Sequence, residues 1–210
     1  MNIHIKNIDQ NLINEISSIS LAMFRKSFFG VFHGSISARI SQNRFLINKK
    51  DAIFDRINND SLIMLHDKED YRWQEASIDS FIHSNIYQSL TEARFAVYAM
   101  PPYSVAYSLK HSVLLPKDYF GYRFLGKQID IFDPKDYDSW YERADIDILR
   151  YFKQSKKNFI FIRGYGIYAY HRDLHALAKI IALIENSCKV LYLGGMLDAG
   201  YINEGRFDIG

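Results

Sequence analysis

Arg94-Phe95-Ala96-Val97-Tyr98-Ala99-Met100-Pro101-Pro102-Tyr103 is the stretch on which the reading of this chain turns. Phe95 to Ala99 has the apolar, aromatic character of a buried strand, and a Pro-Pro pair stops it. Proline holds φ near the helical value and has no N–H to donate, so it suits a first helical turn. Residues through Leu109 continue with helix-like spacing. A strand that ends facing a helix N-terminus is where α/β folds place ligands.

Working outward toward the N-terminus, Ile78 to Leu90 has helical spacing, with Ile78, Phe81, Ile82, Ile86 and Leu90 expected on one buried side. Ser61 to Leu65 reads as a strand and Asp51 to Ile57 as a short helix or turn. Ser35 to Ile40 alternates at period two, Asn43 turns the chain, and Arg44 to Ile47 returns, which predicts a hairpin. Asp9 to Phe29 is an opening amphipathic helix, with Asp9 as N-cap and Gly30 as stop. Toward the C-terminus, Val113 to Asp133 is expected to hold two short strands broken at Gly121 and Gly126. Asp138 to Phe152 is a helix, and Phe159–Ile162 and Ile167–Tyr170 are strands joined by a tight turn at Gly164. The last helix runs from Asp173 to Leu193 and ends at Gly194-Gly195, leaving a docked or disordered tail to Gly210. Short connections between consecutive strands favour a mainly antiparallel sheet, in one αβ domain spanning 1–210.

Composition narrows the function classes. Of 210 residues, 48% are hydrophobic, enough for a substantial core, and the formal charge is only +2. No Lys/Arg run points to nucleic acid or to a membrane surface. Cys188 stands alone, so it forms no intramolecular disulfide, and its apolar helical setting makes it a small buried hydrophobe. Met1 to Lys6 lacks the apolar core of a signal peptide, and no apolar run approaches a membrane span. The expectation is a soluble cytoplasmic protein.

Five motifs, in order and in spacing, resemble the class II aldolase/adducin family. Asp79-x-x-x-His83-x-x-x-Tyr87 matches its Glu-x-x-x-His-x-x-x-Tyr, and the Pro101-Pro102 strand end matches its His-x-His-Pro-Pro. Gly34-Ser35-Ile36-Ser37-Ala38-Arg39 is similar to Gly-Asn-x-Ser-x-Arg, and Phe45-Leu46-Ile47-Asn48-Lys49-Lys50 to Phe-Leu-Ile-Thr-Pro-Ser. Phe161-Ile162-Arg163-Gly164-Tyr165-Gly166 resembles Leu-x-Arg-Asn-His-Gly. The resemblance spans most of the chain. It implies a three-layer αβα fold with a mainly antiparallel central sheet.

In active members three imidazoles hold a divalent metal, usually zinc, which polarises a ketose phosphate while a glutamate moves the proton. The positions matching those imidazoles are Tyr98, Met100 and Tyr165, a poor zinc-ligand set, so neither a metal nor another cofactor is expected. Asp79 takes the acid/base position, one methylene shorter than glutamate. The resemblance places phosphate contacts at Gly34, Ser35, Lys50 and Ser77. Tyr119 lies near a family tyrosine that reaches a neighbouring subunit's site, and a homotetramer is implied. His171 and His175 are four apart, a spacing that can share a metal, but no third ligand is near them in sequence. His83 is expected as a hydrogen-bonded core histidine, and His33 beside Gly34 could approach an anion or be incidental. Two functions stand open. One is a diverged member with a residual pocket for a small phosphorylated or anionic ligand, or with an assembly role. The other is a working sugar-phosphate aldolase with a reorganised site.

Overall fold

The computed structural model describes residues 8–31 and 33–198. Its first half builds a hairpin around the opening helix: α1 (Gln10–Arg25), β1 (Ser35–Ser41), β2 (Arg44–Asn48) and β3 (Leu62–His66). Then come α2 (Ser80–Ser89), β4 (Phe95–Ala99) and α3 (Pro102–Ser108). The second half adds β5 (Val113–Leu114), α4 (Tyr119–Leu125), β6 (Ile129–Phe132), α5 (Trp140–Ser155), β7 (Phe159–Ile162), β8 (Gly166–His171) and α6 (Leu174–Asp198).

The strands form one eight-stranded sheet in the order β3-β2-β1-β4-β8-β7-β6-β5. Every pairing is antiparallel except β6 with β7. Strand side chains alternate between faces, and β4 shows the consequence. Phe95, Val97 and Ala99 pack into the core beneath α1 and α6, whereas Ala96 and Tyr98 join the opposite core beneath α2 and α5. Helices therefore cover both faces of a buried sheet, which is the three-layer αβα architecture expected, with its mainly antiparallel centre.

Local signals explain most boundaries. The Asp9 carboxylate accepts the Asn11 N–H at 2.9 Å and caps α1, and Pro102 opens α3. Several expectations need correction. The first helix ends at Arg25, before Gly30, because Ser27 takes a positive φ of 60° and turns the chain early. Ile78 and Phe81 are 67% and 52% exposed, since α2 presents Ile82, His83, Ile86 and Tyr87 to the sheet instead.

The stretch from Val113 to Asp133 holds its two short strands but also α4, whose aromatic composition masks a helix. Gly121 does not break α4; it lets the helix approach α6, where an added Cβ would meet the Ser187 hydroxyl at 2.1 Å. Likewise α6 runs through Gly194-Gly195 to Asp198, and an added Cβ at either glycine would meet open space. By length and composition alone, Leu174–Leu197 would also be apolar enough to cross a bilayer, although Lys179, Glu185 and Lys189 interrupt it. Its Leu174, Leu177, Ile181, Ile184 and Cys188 face is buried in the core beneath the sheet. The expected tail lies outside the described residues.

Candidate functional site

At the C-terminal end of β4 a cavity of about 340 Å³ opens between the hairpin, the start of α2 and the β7–β8 turn. Gly34, Lys50 and Ser77 line one side, and Tyr98, Met100, Tyr165 and Asp79 line the other. Residues far apart in sequence thus meet because β1 pairs with β4 and β4 with β8, placing Ser35 opposite Tyr98 and Tyr98 opposite Tyr168.

The first side carries the residues expected from sequence to meet an anion. Gly34 has φ +124°, a conformation that L residues avoid, and an added Cβ would lie 2.5 Å from the Phe29 ring. Only glycine lets the backbone run there. The Lys50 side chain is exposed and forms no ion pair among the described residues. The Ser77 hydroxyl accepts the Asp79 N–H at 3.3 Å and keeps its own hydrogen to donate. Ser35 is placed differently: it is fully buried, with its hydroxyl 3.0 Å from His83 Nε2.

The second side is organised around the buried Asp79 carboxyl. Tyr168 donates to Asp79 Oδ1 at 2.7 Å, and the nearby Ser35 and Tyr141 hydroxyls also favour its charged form. Burial raises the Asp79 pKa, and those three hydroxyls offset only part of the rise. Tyr165 donates to the Tyr141 hydroxyl at 2.7 Å, and Tyr98 to the Tyr165 carbonyl at 2.9 Å. The rings stack: Tyr98 lies 4.6 Å from Tyr168 and 4.9 Å from Tyr165 between centroids. Beneath them His83 bridges the sheet and α2. Its Nδ1 is 2.6 Å from the Ser37 hydroxyl, which lies 2.7 Å from the Tyr87 hydroxyl. Burial pushes the His83 pKa down to about 3, so the ring is neutral and one nitrogen donates while the other accepts.

The donor set does not fit the tris-imidazole metal that the sequence resemblance implies for active members. Burial raises the Tyr98 and Tyr165 phenols, which opposes the phenolate a zinc ion would need, and Met100 brings only a soft thioether. Among the described residues no group of three His, Cys, Asp or Glu side chains is placed to share a metal. His171 accepts the Asp173 N–H at 2.9 Å at the turn into α6 rather than pairing with His175.

Tyr119 stands apart, on α4 and 72% exposed, away from the cavity of its own chain. His33, whose role the sequence left open, lines the cavity, as do Asn48, Ile78 and Tyr141, which were not selected from sequence. Asn48 ends β2, and its amide is bonded to Ile36 N and Lys49 O. Tyr141 comes from α5 with no local signal; Asn48 could have been found as the residue closing the Phe45-Leu46-Ile47 strand.

Comparison with known proteins agrees with this architecture. The sequence profile described as class II aldolase and adducin N-terminal domain matches residues 14–192. The chain belongs to that family. Among solved structures, L-fuculose-1-phosphate aldolase from Thermus thermophilus superposes with a TM-score of 0.79 at 21% identity, over 91% of this chain and 97% of that one. YgbL from Escherichia coli, a putative aldolase/epimerase/decarboxylase, gives 0.71 at 15% identity over 88% and 89%. A sugar-phosphate aldolase from Thermotoga maritima gives 0.67 at 13% identity over 91% and 97%. At these identities the likeness establishes the fold. No curated protein matches the sequence.

Proposed function

We propose that this class II aldolase family member is a ligand-binding protein in which an anion, and not a metal, anchors the ligand. The observation that carries the reading is the two-sided cavity: Lys50, Ser77 and the Gly34 backbone on one side, Tyr98, Met100 and Tyr165 on the other. An ammonium, a hydroxyl and a close backbone suit a phosphate. Two phenols and a thioether do not suit a Lewis acid. The names of the Thermus thermophilus and Thermotoga maritima relatives, both aldolases of phosphorylated sugars, support a small phosphorylated ligand. Asp79 occupies the acid/base position. Burial favours its neutral form and Tyr168 already donates to it, which suits a structural role better than a base working on substrate carbon.

A thermal-shift titration tests this. Inorganic phosphate and small phosphate esters should raise the melting temperature, and Lys50→Ala should weaken binding about ten- to a hundredfold. Asp79→Asn should leave binding intact or tighten it. No shift at about tens of millimolar phosphate would overturn the reading, leaving an interaction scaffold. Retro-aldol cleavage of a sugar phosphate by purified protein would point instead to a working aldolase.

The proposal extends to assembly. The chain is read as one domain that forms a homotetramer in the cytoplasm, with no nucleic-acid or membrane partner. Tyr119, Phe120, Tyr122 and Phe124 leave α4 more than half exposed, and an aromatic surface of this kind supports contact with another copy, through which Tyr119 would approach a neighbour's cavity. Light scattering that finds a monomer at about micromolar concentration would count against it.

A further inference from the structure

The inner side of the cavity already has three of its phenol hydrogens engaged. The Tyr98 hydroxyl donates to the Tyr165 carbonyl, Tyr165 to Tyr141, and Tyr168 to Asp79, at 2.9, 2.7 and 2.7 Å. A phenol has one hydrogen, and those of Tyr98, Tyr165 and Tyr168 each have an acceptor within the wall. Met100 contributes a thioether and Ile78, 67% exposed at the rim, a branched aliphatic chain. The surface left for a ligand on this side is mainly ring, sulfur and hydrocarbon.

A polyol placed there would surrender water at several hydroxyls and find few donors in return, and each acceptor left unpaired weakens binding. An aromatic ring loses little. It gains contact with the Tyr98 and Tyr165 rings and with the Met100 sulfur. A volume of about 340 Å³ is at the small end for a ligand pocket, room for one ring and its anchor. We propose that the ligand is a phosphate ester whose body is a single aromatic ring rather than a sugar. Its phosphate lies toward Lys50 and Ser77, and its ring lies against Tyr98, Met100 and Tyr165. The inference rests on the anion-anchored reading of the same cavity and names the other half of the ligand.

Calorimetric titration of the full chain with phenyl phosphate, glycerol phosphate, inorganic phosphate and phenol tests it. Phenyl phosphate should bind about tenfold or more tightly than glycerol phosphate or inorganic phosphate. Lys50→Ala should weaken all three phosphates together. Met100→Gln, which adds an amide to the inner side and leaves Lys50 in place, should erode the preference for the ring. Should that variant fail to fold, the affinity ratio of the unmodified chain decides alone. Equal affinities for phenyl and glycerol phosphate, or the reverse order, overturn the aromatic body and leave the anion anchor standing. Phenol binding as well as phenyl phosphate, with no effect of Lys50→Ala, overturns the phosphate anchor. Failure of every phosphate to bind overturns both.

Discussion

At the scale of single residues, the buried pair Asp79 and His83 makes the cavity floor sensitive to pH, with opposite signs. Unfolded, an imidazole binds its proton below its ordinary value of 6.5, whereas folded His83 stays neutral to about pH 3. Between those limits the unfolded chain holds more protons, so this histidine makes stability rise with pH, by at most about 5 kcal/mol across the window. Asp79 acts the other way. Its raised pKa lets the folded chain keep the proton longer, so its contribution is present in acid and lost as pH rises through the folded value. Denaturant unfolding at about pH 7 and about pH 4 should therefore show a smaller acid loss in His83→Gln than in the unmodified chain. The contrast should be clearest in an Asp79→Asn background, and parallel pH profiles would rule the effect out.

Among elements, the short helix after the Pro-Pro pair depends on a neighbour. α3 has no side-chain cap of its own; the Glu185 carboxylate on α6 accepts Tyr103 N–H, Ser104 N–H and the Ser104 hydroxyl at 3.0, 2.7 and 2.7 Å. An anion at a helix N-terminus is favoured by the exposed N–H groups there, and at 6% exposure water cannot replace it. Glu185→Ala should cost about 2–4 kcal/mol in chemical denaturation, with Glu185→Gln losing less. The damage should reach the cavity, because α3 begins two residues after Met100.

For the molecule as a whole, Cys188 reports on opening. It is fully buried on α6, and burial pushes its thiol up to about 12, so neither access nor thiolate is present in the folded state. Modification by a thiol reagent at neutral pH should be about a thousandfold slower in the folded chain than in denaturant, and should speed up in Glu185→Ala. Fast modification of the native chain would mean that α6 opens locally.

The sequence by itself determined the elements whose causes lie within a few residues. The Asp9 cap, the period-two hairpin of β1 and β2, and the Pro-Pro start of α3 are local chemistry, and the structure reproduces them. So were the motifs that marked the family. What local pattern could not supply was set by contacts between elements. α4 is a helix despite its aromatic residues because Asp118 bonds Gly121 N–H and the Ser187 hydroxyl on α6. Ile78 is exposed because the packing of α2 against the sheet decides which side of its apolar stripe is buried. The hydroxyl contacts of Tyr165 with Tyr141 and of Tyr168 with Asp79 bring together three separate segments. Spacing along a chain carries no record of which hydroxyl meets which acceptor. That is settled when β4 pairs with β1 and β8 and α5 closes over them, and it is there that the cavity acquired its polar and its aromatic side.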